Sequence, residues 1–272
     1  MSILQMFSFP FIQRALIAGI MVSLCAALLG VPLVLKRYSM IGDGLSHVSF
    51  GALAVAVAMG FAPLYFAIPV VIAAAFLLLR VADSPHWNSD AAIAVVSASS
   101  LALGVLVISR TSGMTTDVDN YMFGSVLAMS KADVLLSVVL CGAVLALYIF
   151  FYHKIFAVTF DESFSRATGL RANRYNTLLA ILTALTIVLG MRMMGAMLIS
   201  SLVIFPALTA MRVFRSFRGV VLCAGITSVV CFFAGLMISF SSSTPVGATV
   251  VAANLALFLA SCLLAVFRRK RR

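Results

Sequence analysis

The amino-acid sequence predicts an all-α integral membrane protein, a polytopic bundle of about nine transmembrane helices. Of its 272 residues, 63% are hydrophobic and only 10% are charged, and the mean hydropathy is +1.17, far above that of soluble domains. Apolar segments of about 20 residues, the length that crosses a bilayer, follow one another along nearly the whole chain. Because no stretch is left for a soluble domain, we expect residues 1–272 to form a single transmembrane domain.

Charged residues, glycines and prolines divide the sequence into nine candidate spans. The links around Gly60 and Gly190 are very short, so counts of eight or ten also fit the pattern. The first span has no basic segment before it and is too long for the core of a signal peptide, so we expect it to remain in the mature protein. The spans are 11–35, 44–60, 62–81, 91–109, 131–152, 174–190, 192–211, 219–240 and 245–267.

The distribution of lysine and arginine predicts the orientation. If every span crosses the membrane, the gaps on one side hold 15 of the 19 basic residues. Basic residues concentrate on the cytoplasmic side, which places the C-terminus inside and the N-terminus outside. Nucleic acid is not expected as a partner, because the charges lie in short gaps and not in a patch with interleaved aromatic residues. The 15 residues are Lys36, Arg37, Arg80, Lys154, Arg166, Arg171, Arg174, Arg212, Arg215, Arg218, Arg268, Arg269, Lys270, Arg271 and Arg272.

Asp43 and His47 lie at the start of the second span, and His47 is the only histidine inside a predicted span. Residues four apart lie on one face of a helix with their side chains adjacent. A carboxylate and an imidazole at this spacing can bind one zinc, manganese or iron ion, and two ligands suit a site through which the ion passes. Ionisable groups at the edge of a span tend to mark pathways. In the competing interpretation, Asp43 caps the helix and His47 hydrogen-bonds a backbone carbonyl.

The longest basic connection, residues 153–174, contains a second pattern. Thr159 followed by Glu162 forms a capping box, and Gly169 provides a C-terminal stop, so a helix of about two turns is predicted. Phe160, Phe164 and Ala167 give this helix one apolar face. Such a helix can lie on lipid or dock on a soluble partner, and the acidic residues on its polar face favour docking. These residues are Asp161 and Glu162, next to Arg166.

Pro206 lies inside the seventh span. A proline removes a backbone donor and kinks a helix, which is tolerated where the helix lines a cavity or packs against neighbours. Both interpretations remain open from the sequence. The chain lacks a G-x-x-x-x-G-K-[ST] loop and the common hydrolase motifs, so any energy for transport has to come from a partner or an ion gradient.

Three segments, in order, resemble the permeases of bacterial ABC importers for zinc, manganese and iron(II). Residues 36–47, KRYSMIGDGLSH, are similar to the family pattern R-R-M-S-x-x-G-D-x-L-(A/S)-H. Residues 121–128, YMFGSVLA, resemble Y-L-F-G-x-x-L-A, and residues 201–210, SLVIFPALTA, resemble S-L-L-I-I-P-A-A-T-A. One departure concerns the metal, because some zinc members carry a histidine in the fourth span where this sequence has Ala98.

The resemblance implies a permease of the bacterial inner membrane that imports a divalent transition metal, with zinc favoured and manganese or iron(II) next. It implies that the chain is not an enzyme, since a separate cytoplasmic ABC ATPase dimer hydrolyses ATP and an extracytoplasmic metal-binding protein delivers the ion. No cofactor is expected to stay bound, and the metal is the substrate. We also expect a second permease copy, because one chain of this size is half of an import channel.

The resemblance further implies that Asp43 and His47 belong to the permeation pathway. It identifies the helix at about 159–169 as a cytoplasmic coupling helix that docks on the ATPase. The main alternative is a secondary, proton-coupled metal carrier, which would need several intramembrane carboxylates; the spans offer almost none beyond Asp43. The coupling residues are expected to be Phe160, Asp161, Glu162, Phe164, Arg166 and Gly169.

Overall fold

The computed structural model describes residues 9–82, 89–111 and 131–270, and all regular secondary structure within these ranges is α-helical. Segment 121–128, the second family-like motif, lies outside the described residues. The helices are α1 Pro10–Leu35, α2 Ile41–Ala58, α3 Pro63–Ala82, α4 Ser89–Arg110, α5 Lys131–Phe150, α6 Tyr152–Phe160, α7 Glu162–Ala167, α8 Ala172–Met194, α9 Ala196–Val213, α10 Phe217–Ser242 and α11 Val246–Lys270.

The predicted polytopic, all-α membrane fold is confirmed. Within the described ranges, eight helices are long and apolar enough to cross a bilayer: α1, α2, α3, α4, α8, α9, α10 and α11. A ninth span arises if α5 and α6 are counted together, although the chain bends by 67° between them. The predicted count of about nine therefore agrees with the structure.

The boundary between the sixth and seventh predicted spans, which correspond to α8 and α9, differs from the prediction. The break between α8 and α9 lies at Gly195, not between Gly190 and Arg192. Gly195 has φ 84° and ψ 162°, a backbone conformation open almost only to glycine. Gly190 instead allows close packing, since a Cβ there would lie 2.4 Å from Cδ1 of Ile199. The sequence offers two glycines, and only the tertiary packing shows which one ends the helix.

Helix α1 lies at the centre of the bundle and packs against α8, α9 and α10 on one side and α5 on another. Small residues permit the close approach that joins helices in a membrane. At Gly30 a Cβ would lie 1.9 Å from the backbone oxygen of Val203 in α9, so the two backbones touch there. This contact fixes the height of α9 relative to α1.

A tight turn connects α1 to α2. The Tyr38 amide donates to the Leu33 carbonyl, and the Arg37 amide donates to the Val34 carbonyl, which is the Schellman arrangement. Arg37 adopts φ 64° in the left-handed position where glycine is usual. The chain therefore reverses within a few residues and α2 begins at Ile41.

The predicted coupling helix at about 159–169 is divided between two helices in the structure. Thr159 and Phe160 end α6, where the Thr159 hydroxyl donates to the Ile155 carbonyl. The prediction that Thr159 caps the short helix was wrong, because that hydroxyl already has a partner within α6. Asp161 caps α7 instead, with its side chain accepting from the Phe164 amide at 2.8 Å.

The predicted C-terminal stop of this helix is confirmed. Gly169 has φ 85°, and the Leu170 amide donates to the Ser165 carbonyl while the Gly169 amide donates to the Arg166 carbonyl. These bonds close α7 in a Schellman motif and turn the chain directly into α8. The short helix is thus held at both ends despite having only six residues.

Candidate functional site

The first two turns of α2 place Asp43 and His47 side by side. Because α2 already begins at Ile41, both residues are helical and lie one turn apart. The His47 Nε2 atom is 3.6 Å from the Asp43 Oδ2 atom. This is the adjacency that the four-residue spacing predicts.

Helix α9 contributes a third side chain to this site. The Ser200 hydroxyl donates to Asp43 Oδ1 at 3.2 Å and is also 3.2 Å from the Ala196 carbonyl in its own helix. Ser200 was not predicted as a site residue, although it immediately precedes the family-like segment 201–210. Asp43 and Ser200 are 157 positions apart, so no local pattern could have joined them.

The structure does not support the competing interpretation of Asp43 as a helix cap. Met40 is the N-cap residue of α2, and no side chain caps that end. The Asp43 carboxylate contacts His47 and Ser200, and its backbone carbonyl accepts from the Ser46 hydroxyl at 2.7 Å. The carboxylate is therefore directed to side chains of the bundle.

The pair is partly open, in a helix that is otherwise mostly buried. The Asp43 side chain is 43% exposed and the His47 side chain 21%, whereas their neighbours Leu45 and Ser46 are fully buried. His47 Nδ1 is buried and has no hydrogen-bond partner among the described residues. A metal-binding imidazole commonly donates its second nitrogen to an acceptor, and the described residues provide no such acceptor for His47.

The ligand set of this site is small. The described ranges contain no group of three or more His, Cys, Asp or Glu side chains that could hold a metal ion. One carboxylate and one imidazole can replace part of the water shell of a zinc, manganese or iron ion, and the other positions stay open.

Pro206 lies inside α9, two turns after Ser200, and is buried. The helix continues through it to Val213. Val203, between Ser200 and Pro206, touches the backbone of α1 at Gly30 and lies next to α2, where a Cβ on Gly42 would be 3.6 Å from its Cγ1. This part of α9 therefore joins α1 to the end of α2 that carries Asp43 and His47.

A second cluster lies around α7, and its aromatic residues are exposed. Phe164 is 66% exposed and Phe160 is 60% exposed. Phe160 belongs to α6 and its ring lies 4.9 Å from that of Phe156 and 6.0 Å from that of Phe217. The predicted single apolar face of Phe160, Phe164 and Ala167 is therefore split between two helices, but all three side chains remain accessible.

Glu162 faces the bundle and holds α7 in place. Its Oε2 atom accepts from Lys36 Nζ at 3.1 Å and from Asn176 Nδ2 at 3.0 Å, while Oε1 accepts from Arg166. Lys36 also donates to the Asn176 side-chain oxygen, and its own side chain is only 8% exposed. The ends of α1, α7 and α8 are thus joined by one polar cluster.

The charge on Glu162 is stabilised by these partners. Burial alone would raise the pKa of Glu162, but the hydrogen bonds from Asn176 and Lys36, the positive charge of Lys36 and the bond from Arg166 together lower that pKa below its ordinary value. From the sequence, Lys36 was expected to mark the cytoplasmic side, and it opens the family-like segment 36–47. Lys36 and Glu162 are 126 positions apart, so no sequence signal pointed to this pair.

Comparison with known proteins gives a consistent result over nearly the whole chain. The profile of the ABC 3 transport family matches residues 8–265. The high-affinity zinc uptake system membrane protein ZnuB of Haemophilus influenzae is 30% identical over 263 residues, covering 97% of this chain and 99% of that protein. The manganese import system permease protein ScaB of Streptococcus gordonii is 29% identical over 261 residues, covering 96% and 94%.

Solved structures show the same architecture. A chain of PsaBC from Streptococcus pneumoniae, solved in complex with Fab, superposes with a TM-score of 0.84 at 30% identity, covering 93% of this chain and 91% of that chain. An inward-facing putative metal-chelate type ABC transporter has a TM-score of 0.74 at 16% identity, covering 96% and 89%, and shares the fold.

Proposed function

Because the chain belongs to the ABC 3 transport family, we propose that it is the membrane-spanning permease of an ATP-driven importer for a divalent transition metal. Its similarity to ZnuB and ScaB supports metal import in general. Zinc is put first because imidazole and carboxylate are its ordinary protein ligands, and manganese or iron(II) follows because the carboxylate also suits these ions.

The main support for this proposal is the Asp43–His47 pair, in which Ser200 donates a hydrogen bond to Asp43. An ionisable pair inside an apolar helix is costly, and such pairs therefore tend to mark ion pathways. The Ser200 hydroxyl leaves Asp43 Oδ2 facing His47, so one oxygen and one nitrogen are directed to the same point. An ion that arrives at this point exchanges part of its hydration shell for these two atoms.

The partial exposure of Asp43 supports a pathway between two copies of the chain. Within one copy, the pair lies on an accessible side of α2 and not in a closed cavity. A second copy would face the first across this side and complete the channel. A metal-binding protein outside the cell delivers the ion, and the basic gaps and C-terminus face the cytoplasm.

The helix α7 is the proposed contact with the ATPase. Its exposed Phe164 enters the partner, while Gly169 and the Asp161 cap keep the helix formed. Glu162 does not dock on the ATPase but holds α7 to the bundle, because its carboxylate accepts hydrogen bonds from Lys36 and Asn176. Movement of α7 is thereby passed to α1 and α8, and α1 contacts α9 beside Ser200.

The first test combines co-purification with metal measurement in cells. The full-length chain is purified in mild detergent, its partners are identified by mass spectrometry, and cellular zinc, manganese and iron are measured in a strain that lacks the gene. We expect a P-loop ATPase to co-purify and one of these metals to be depleted. Restoring wild type or the control D90N, whose carboxylate is exposed at the start of α4, should restore the metal; D43N and H47Q should not.

The same test separates the rival mechanism. If uptake persists without the ATPase and stops when the proton gradient is collapsed, the chain is a secondary carrier. If cellular metals are normal in the deletion strain under metal limitation, the import proposal is rejected.

A further inference from the structure

A groove on the side of the bundle runs along α10, opposite the bend between α5 and α6. Its volume is about 730 Å³, and Leu24 and Leu28 of α1 form its floor. The walls are mostly apolar and come from Tyr148 and Ile149 on one side and from α10 on the other. The groove is open to the surroundings of the bundle, where the bilayer lies.

The groove has the length of one lipid leaflet. Its α10 wall runs from Arg218 to Val230. Twelve residue steps at about 1.5 Å each give a length of about 18 Å, a little more than half of the roughly 30 Å hydrocarbon core. A protein helix of that length and about 10 Å across would need about 1,400 Å³, which is twice the available volume. An extended acyl chain fits better than a helix.

One end of the groove is basic. Arg218 and His153 line it there, and both also line an adjoining cavity of about 460 Å³ that includes Arg215. Neither cavity has an Asp or Glu among its described lining residues. Helix α10 begins at Phe217, beside Arg218, so the partial positive charge of its N-terminus lies at this end of the groove.

A buried hydroxyl group next to this end lacks a partner. Tyr148 is 1% exposed and lines the groove, and its hydroxyl has no hydrogen-bond partner among the described residues. Leaving a buried donor unpaired is unfavourable, so an acceptor oxygen that reaches this hydroxyl after a small shift of the neighbouring side chains would be stabilised. The groove thus offers an apolar channel, a basic end and an unused hydroxyl between them.

We propose that this groove binds one anionic phospholipid per chain. One acyl chain lies between α5 and α10 on Leu24 and Leu28, the phosphate lies at Arg218 and His153, and the Tyr148 hydroxyl donates to a glycerol ester oxygen. The lipid belongs to the inner leaflet if the basic side of the bundle faces the cytoplasm. Only this assignment of the leaflet rests on the proposed function. There it would brace the bend that leads into α6 and α7.

Native mass spectrometry of the delipidated full-length protein tests the proposal directly. Phosphatidylglycerol or phosphatidylcholine with the same acyl chains is added in graded amounts. Both headgroups carry a phosphate, but the choline ammonium of phosphatidylcholine cancels its charge and would be repelled by Arg218 and the nearby Arg215. Wild type should therefore bind one phosphatidylglycerol with an affinity about tenfold above that for phosphatidylcholine. R218Q should lose this preference, and V229W, which places a large ring in the groove, should bind neither lipid.

Matched controls lie outside the groove. Arg80 is an exposed arginine on α3 and Val139 an exposed valine on α5, so R80Q and V139W should bind as wild type does. If R218Q fails to fold, two other comparisons test the proposal. Y148F removes only the hydroxyl and should weaken binding of both lipids. V229W should bind neither lipid, whereas V139W should bind both as wild type does.

Three results would overturn the proposal. These are equal binding of the two lipids by wild type, equal losses in R80Q and R218Q, or a V229W variant that loses association between copies while lipid binding is unchanged. The last result would assign the groove to a protein interface. Lipid binding is measured without metal or ATP, so its failure leaves the transport proposal standing, and failure of transport does not affect it.

Discussion

Asp43 depends on two neighbours that come from different helices. His47 follows it by one turn of α2, and Ser200 reaches it from α9. The first contact follows from sequence spacing, because residues four apart on a helix always share a face. The second depends on how α9 packs against α1 and α2, which the sequence does not specify locally.

Replacing Ser200 tests the support that this hydroxyl gives to Asp43. S200A should raise the metal concentration needed for half-maximal uptake about tenfold, because a group that orients a metal ligand usually contributes that much, while the maximal rate stays near that of wild type. Uptake of labelled zinc or manganese across a concentration series measures this. The control is S201A, whose hydroxyl bonds only the Leu198 carbonyl of its own helix; an equal effect there would remove Ser200 from the site.

Glu162 and Lys36 form the other residue-level feature that could not be read from the sequence. Both were visible as charged residues near span ends, but their pairing joins segments 126 positions apart. From the sequence, Glu162 was expected to be one of the coupling residues. The structure shows a carboxylate bonded within the chain, which makes it a positioning residue for α7.

The lowered pKa of Glu162 predicts a pH dependence of stability. A carboxylate whose pKa is lower in the folded than in the unfolded protein contributes stability that is complete above the ordinary glutamate pKa and is lost as pH falls through the lowered value. At pH 7, E162Q should therefore unfold several degrees below wild type, a loss of about 2 kcal/mol after allowing for partial exposure.

This difference should shrink as the pH falls below the ordinary glutamate pKa. Thermal unfolding in detergent between neutral and acidic pH measures it. D90N serves as the control, since that carboxylate is exposed and has no ion pair recorded in the described part of the chain. A constant difference between wild type and E162Q at all pH values would show that the ion pair does not contribute.

Among the helices, α7 was predicted from the sequence, but its first residue was not. A short helix with a glycine stop was predicted in this connection, and the structure contains it. Its start was misplaced because Thr159 and Asp161 are both good capping residues, and the chain uses the second. The hydroxyl of Thr159 bonds inside α6, which pattern alone could not show.

The exposed ring on α7 leads to a prediction about the ATPase. F164D should abolish co-purification of the ATPase with the full-length chain, because the aspartate removes the apolar contact and adds a charge that would have to be desolvated. S163D adds the same charge at the neighbouring exposed position and should retain the partner. If both variants keep or both lose the ATPase, Phe164 is not the docking anchor.

The break between α8 and α9 depends on Gly195. Its backbone conformation is unfavourable for any residue with a Cβ, so G195A should destabilise the protein by about 1–3 kcal/mol and weaken metal uptake, because α9 carries Ser200. In contrast, Gly142 lies inside α5 with no atom near its Cβ position, so G142A should be neutral or stabilising by about 0.5–1 kcal/mol. Unfolding temperatures of the two variants decide this, and equal values would contradict it.

On the scale of the whole molecule, hydropathy alone gives the fold class and most of the spans. The bilayer demands long apolar helices, so the sequence has to display them. Hydropathy says nothing about which helices touch, and the two polar clusters, at Asp43 and at Glu162, exist only through those contacts. The centrally packed α1 links them, because Lys36 at its end reaches α7 and Gly30 along its length touches α9.

Uptake into proteoliposomes measures whether a divalent transition metal passes Asp43 and His47 during ATP-driven import. The permease and its ATPase are reconstituted together, and labelled zinc and manganese uptake is followed with and without ATP. We predict ATP-dependent uptake by wild type and by D90N, and uptake at background level for D43N and H47Q although both variants still bind the ATPase. ATP-dependent uptake by D43N and H47Q at the wild-type rate would mean that neither side chain lies on the transport pathway.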